Sequence, residues 1–394
     1  MTATTDFGGS PIPRGDQPVR FVRADTVAAS PPPSSEVGPI AWIRHHLFTG
    51  PLNIFLTVVI AALALWLLPG LIRFLFIDAV WSGKDREACI ITEARPVVGA
   101  CWAFVAERAG YFTYGSYPIP QRWRVDTFFV LLGLGVVWLL SMRLPRKDLA
   151  ALYFFVGLPI ISYVLLVGVP ALGLPYVETT LWGGILVSIV CSAVGMVVSL
   201  PLGILLALGR RSSMPAARLF SVTFIEFVRG VPLITVLFMA SVMLPLFVPS
   251  YLQPDKLLRA LIGIALFASA YMAEVVRAGL QALPKGQYEG AMALGLPYGL
   301  MMRLVVLPQA LKITIPNIVN TFIGLFKDTT LVVVVGIFDF LKAIEAARID
   351  PRWAAPTVST TGYVYAAIFY FICCYLMSRY ARDVEARLAK ADKR

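Results

Sequence analysis

Glu289-Gly290-Ala291-Met292-Ala293-Leu294-Gly295, followed twelve residues later by Leu307-Pro308, forms a small-residue interruption in a very apolar C-terminal half. Pro284-Lys285-Gly286 opens a helix there, and Gly290, Ala291 and Ala293 permit close approach by a partner. Gly295 falls where a helix C-terminus needs a residue tolerant of positive φ. Pro297 suits the first turn of a second helix, and Leu307-Pro308 is expected to end or kink that helix as the chain returns to apolar sequence. The spacing predicts a helix–Gly–helix hairpin over 284–308, exposed to water between two spans. An ordinary amphipathic loop is the alternative.

The flanking sequence sets the hairpin in a membrane. Of 394 residues, 58% are hydrophobic and only 14% charged, a composition unsuited to a soluble domain of this length. Mean hydropathy is +0.76. Runs of about 20 apolar residues, enough to cross ~30 Å of hydrocarbon, recur along the chain. Spans are expected near 53–76, 127–142, 149–170, 181–208, 219–247, 259–277, 311–336 and 360–379. The fold class is all-α and polytopic, with about eight transmembrane helices.

The net charge of +11 is confined to particular loops. Lys and Arg crowd into Arg143–Lys147, Arg210-Arg211 with Arg218, the 277–312 segment and the tail from Arg379. The loops between them, roughly 171–180, 248–259 and 337–359, are poor in basic residues. With alternating sides this pattern places both termini in the cytoplasm, so the basic surplus reports topology and not nucleic-acid binding. Cys89 and Cys101 then share the non-cytoplasmic segment 77–126, where an oxidising compartment allows a disulfide; two unpaired thiols are the alternative. Cys191, Cys373 and Cys374 fall within spans, where small apolar packing is expected.

Residues 1–37, rich in Pro, Ser, Gly and Thr, are expected to form a disordered cytoplasmic tail rather than a signal peptide. Residues 38–52 alternate large apolar and cationic side chains at helical spacing, as in a helix lying flat in the interface. The adjacent His45 and His46 point to different helix faces and are read as interfacial, with no metal site. A transmembrane extension covers 53–176. Its segment 77–126, dense in Trp, Tyr and Phe, is expected to fold as a small cap.

Glu289-Gly290-Ala291, Gly295, Val305 and Leu307-Pro308 together resemble the EAA signature of ABC-importer permeases, with Gly290 for the usual Ala and Val305 for Ile. Ile225–Leu233, Ala270–Arg277, Pro284–Gln287, Leu307–Ala310 and Lys327–Leu331 are similar to motifs of the polar amino-acid branch. They run in order over about 200 residues. The N-terminal extension resembles the AapM-type permeases of general L-amino-acid transporters. The resemblance implies a type I importer permease core over 177–394. It also implies a cytoplasmic ABC ATPase dimer, a second permease subunit and a periplasmic amino-acid-binding protein as partners. The hairpin would seat in a groove of the ATPase, with Glu289, Gly290, Ala291, Gly295, Leu307 and Pro308 as its coupling residues. No phosphate-binding loop of the Gly-x-x-x-x-Gly-Lys-Ser/Thr type occurs in the chain, so ATP hydrolysis would belong to another subunit.

Charged residues at membrane depth usually face a cavity or a partner. Glu274 lies one helical turn from Tyr271 and either lines an amino-acid pathway with it or pairs with Arg277. Glu226 and Arg229, also one turn apart, are expected to form a structural ion pair, with cavity lining as the other reading. Thr329 and Thr330 either line the pathway or bond back to their own helix. No catalytic set and no cofactor are expected. An ion-coupled secondary transporter of small polar solutes is one rival; it predicts a large internal repeat, which the sequence lacks. The other is a non-transporting membrane scaffold.

Overall fold

The computed structural model describes residues 38–93, 95–141, 144–249, 251 and 253–391, so the expected disordered tail lies outside the described residues. Two compact units divide at Leu71 and Ile72. In the first, α1 (Pro39–Leu47) precedes α2 (Pro51–Ile72). Trp42 stacks on His46 at 4.9 Å, and the Thr57 hydroxyl donates to the Leu47 carbonyl at 3.0 Å, closing the corner between the helices. No residue of α2 is buried, and its sequence is apolar on all sides, which suits lipid contact.

The second unit contains α3 (Trp102–Tyr114), α4 (Arg122–Leu140), α5 (Lys147–Val167), α6 (Gly184–Arg210), α7 (Pro215–Arg229), α8 (Leu233–Phe247), α9 (Lys256–Ala282), α10 (Lys285–Ala293), α11 (Tyr298–Val335), α12 (Phe340–Ala347) and α13 (Pro356–Ala391). Among the described residues, 7 helices are long and apolar enough to cross a membrane, or 8 if α7 and α8 count as one span.

The 219–247 segment, expected as one span, is instead bent by 106° between α7 and α8. Pro232 lacks an amide donor and pushes Val231 out of the helical region, so the ladder breaks at Gly230-Val231-Pro232. A second correction concerns Leu307-Pro308. Of the two expected outcomes, an end or a kink, the helix does not end there but runs on through a π-turn at Met302–Val306. Widening the turn gives the proline ring room against the preceding carbonyls. The same device recurs before Pro159 (π-turn Tyr153–Gly157) and before Pro245 (π-turn Met239–Met243).

The core is a tight pairing of α6 with α9, flanked by α11. At Gly203 a methyl group would come within 2.7 Å of Met272, and at Gly279 within 2.6 Å of the Ala310 carbonyl oxygen. Small residues here let helices approach closely, the usual basis of packing in lipid. At one end, segment 72–121 folds against α12 and the start of α13. Cys89 and Cys101 form a disulfide and are both buried. The Cys101 amide donates to the Thr361 hydroxyl at 2.8 Å, Arg108 pairs with Asp350, and Phe104 contacts the ring of Trp353. Gly184, at φ +65°, passes so close to α3 that a Cβ would sit 2.1 Å from the Phe112 carbonyl oxygen. The aromatic segment therefore forms a folded platform joined to the C-terminal third of the chain.

Candidate functional site

The hairpin is built by backbone geometry. Gly295 has φ +72°. Its amide donates to the Met292 carbonyl at 2.9 Å, and the Leu296 amide donates to Ala291 at 3.2 Å. This pair of bonds is the Schellman closure of a helix end, with Pro297 preventing continuation. Ala291 is buried and packs with Met301, Met302 and Val306, so it faces inward rather than toward a partner. Glu289, Gly290 and Ala293 are exposed. So are Met292 (57%) and Leu294 (80%), which leaves an exposed apolar knuckle at the turn. Leu307 and Pro308 lie at the start of the span-forming part of α11, away from the turn. Tyr288 anchors the hairpin: its hydroxyl donates to the Leu280 carbonyl at 3.0 Å and lies 3.2 Å from an Arg211 guanidinium nitrogen. Gln309 donates to Gln287 at 2.9 Å, adding a second tether.

Next to that anchor, Arg210 at the end of α6 joins a charge cluster. Arg210 reaches Glu274 at 2.7 Å and Glu226 at 2.9 Å. Arg277 reaches Glu274 at 2.7 Å and Arg229 reaches it at 3.7 Å. Arg229 also sits over the Tyr271 ring, 5.6 Å from its centroid. Glu274 is the hub, with its side chain only 16% exposed. The cluster ties together α6, α7 and α9, and its three guanidinium groups against two carboxylates leave one positive charge in surplus.

Several sequence expectations change in this light. The Glu274–Arg277 pair forms, within a larger network. Glu226 and Arg229 do not pair with each other; Glu226 turns to Arg210, and Arg229 turns to Glu274. Tyr271 lies beside Glu274 but is engaged by Arg229. Thr329 is buried and donates to the Phe326 carbonyl, and Thr330 donates to Lys327, so both bond back to their own helix. Arg210 and Arg211 were legible only as loop charges. The Arg210 partner Glu274 and the Arg211 partner Tyr288 lie 64 and 77 residues away, beyond the reach of spacing arguments.

The sequence matches the family described as the binding-protein-dependent transport system inner membrane component over residues 199–390. It is 48% identical over 348 residues to the inner membrane amino-acid ABC transporter permease protein YhdY of Escherichia coli strain K12, covering 88% of this chain and 92% of that protein. It is 41% identical over 429 residues to the glutamate/glutamine/aspartate/asparagine transport system permease protein BztC of Rhodobacter capsulatus, covering 94% of this chain and 98% of that protein. A solved crystal structure of an amino acid ABC transporter with histidines shares 28% identity and a TM-score of 0.46, covering 52% of this chain and 92% of that one. The chain therefore belongs to the inner-membrane permease family of ABC transporters: it is a permease subunit and not itself an enzyme. Its place is among the amino-acid permeases, and the relatives that match it across the N-terminal extension are of that kind.

Proposed function

We propose that the chain is one of two permease subunits that move polar L-amino acids across the bacterial inner membrane. A cytoplasmic ATPase dimer grips its hairpin, and a periplasmic binding protein delivers the substrate. Both termini lie on the cytoplasmic side, the side of the basic loops. The observation that carries the reading is the hairpin itself. It presents Met292 and Leu294 to water on a rigid, Schellman-closed turn, while Ala291 and Tyr288 hold it to the spans.

A pull on α10 passes through Tyr288 to Arg211, and so to the neighbouring Arg210, which binds Glu226 and Glu274. The cluster thus couples hairpin position to the spacing of α6, α7 and α9. Driving such a two-state change nearly to completion takes roughly 5 kcal/mol of differential binding, within reach of nucleotide-driven closure. Glu274 acts in the conformation seen here as the lock of this cluster rather than as a free site for the substrate ammonium. The surplus positive charge suits the carboxylate that every amino acid carries, in keeping with the glutamate, glutamine, aspartate and asparagine in the name of the Rhodobacter relative.

The test is reconstitution in vesicles with the ATPase and binding protein that co-purify from mild detergent, followed by uptake of labelled L-glutamate and L-glutamine. ATP-dependent uptake that requires the binding protein is expected. Nucleotide-independent uptake by the isolated chain would overturn the proposal.

A further inference from the structure

A cavity of about 360 Å³ lies between the hairpin of α4 and α5 and the core helices α6 and α9. Its deep half is walled by Leu132, Phe154, Leu158, Val194, Val197 and Val198. Its polar lining residues, Ser162, Tyr163, Tyr176, Thr179 and Asp255, all lie at or within about a turn and a half of the span ends. That end is the one carrying the disulfide platform, since Trp182 at its rim forms a bridge with Gly115. The wall from Phe154 to Val167 covers about 20 Å at the helical rise, comparable to one leaflet's ~15 Å of hydrocarbon. The cavity is therefore amphipathic along the membrane normal, wet at the rim and dry at mid-depth.

Its mouth is continuous with the surface that meets the bilayer. Tyr163 lines it and is 64% exposed, and Ile160, one position from the lining residue Pro159, is 60% exposed. Volume decides between occupants. A helix of about 10 Å diameter and 20 Å length has an envelope of roughly 1,600 Å³, more than the empty space of about 1230 Å³ there even with open solvent included, whereas a single flexible hydrocarbon chain needs far less. Charge decides the headgroup. Asp255 is the single charged lining residue, and one of its carboxylate oxygens accepts from the Leu257 amide at 3.1 Å. A carboxylate at the rim repels an anionic headgroup and attracts an ammonium.

We propose that this groove is a binding site for one acyl chain of a zwitterionic, ammonium-bearing phospholipid, whose headgroup lies against Asp255. The lipid fills the gap between the N-terminal extension and the permease core. It gives the extension a function: to form, with the core, a lipid-filled seam.

The test uses the full chain, with whatever subunits co-purify, in nanodiscs containing phosphatidylethanolamine with a photoactivatable group on its acyl chain. A parallel arm uses phosphatidylglycerol carrying the same acyl group. Label is expected on α4, α5 and α6 peptides, favouring the ethanolamine lipid. Val194→Trp, which fills the groove, is expected to cut that label roughly tenfold, and Asp255→Lys to reverse the headgroup preference. Ser162→Trp blocks the groove from the opposite wall and serves if Val194→Trp does not fold. Labelling spread evenly over all exposed apolar faces, or unchanged by either tryptophan, overturns the proposal. So does crosslinking of the groove to a second protein chain instead of lipid.

Discussion

Gly295 shows how much one residue decides. Its backbone is left-handed, yet a Cβ at this position would meet nothing within 4 Å. Gly295→Val therefore costs about 1–2 kcal/mol of backbone strain at the turn without disturbing span packing. The expected outcome is a folded protein whose thermal midpoint falls by no more than a few degrees but whose ATP-dependent uptake in vesicles is sharply reduced; normal uptake would remove the turn from the coupling path. Glu274 makes the opposite prediction. Glu274→Gln leaves three guanidinium groups facing a single carboxylate. Stripping a buried charge of its partner costs up to about 3–5 kcal/mol, and partial exposure lowers that figure. The thermal midpoint is expected to fall, and Glu274→Gln/Arg277→Gln, which restores the charge balance, to recover part of the loss. Strict additivity of the two substitutions would contradict the network.

At the scale of elements, prolines and the disulfide do most of the shaping. Pro159, Pro245 and Pro308 each follow a π-turn by two residues, so at these three positions proline is accommodated by a widened turn and does not end the helix. Pro232 differs because it falls beside Gly230 in a broken segment, and the outcome is the 106° bend. The Cys89–Cys101 bond closes a short loop, with a sequence separation of 12, in the platform. Chain entropy puts its contribution at about 3 kcal/mol. Cys89→Ser/Cys101→Ser is expected to lower the midpoint of thermal unfolding by that equivalent and to raise protease cleavage within 78–101. Cleavage there at the wild-type rate would show that the platform does not depend on the bond.

For the whole molecule, Asp339 is a meeting point. It caps α12 by accepting from the Leu341 and Lys342 amides at 3.0 and 3.1 Å, it bridges to Gly184, and Tyr370 of α13 approaches it at 3.5 Å. Burial raises its pKa from 3.8 to about 6, against the lowering effect of the two amides. A carboxyl with a raised native pKa binds more protons in the folded state, so its contribution to stability declines as pH rises from about 4 to about 6. Two units correspond to on the order of 2–3 kcal/mol. Asp339→Asn keeps a capping side chain and removes the titration. The variant is expected to gain stability relative to wild type across that window, measured by denaturant unfolding at a series of pH values. A constant difference between the two proteins would rule out the titration of Asp339.

The linear chain determined the features that need only local physics. Long apolar runs require helices in lipid, Gly295 before Pro297 requires a helix stop, and ordered motifs from Ile225 to Leu331 resemble a permease core that the family match bears out. What it left open was everything set by packing between distant segments. Whether Ala291 faces in or out depends on the Met301–Val306 surface it meets, and the partners of Glu274 come from helices ending at Arg210 and Arg229. The cavity exists only because α4 and α5 lean on α6 and α9 without filling the space between them. Periodicity along a chain reports which side of a helix is apolar; only the folded molecule decides what that side touches.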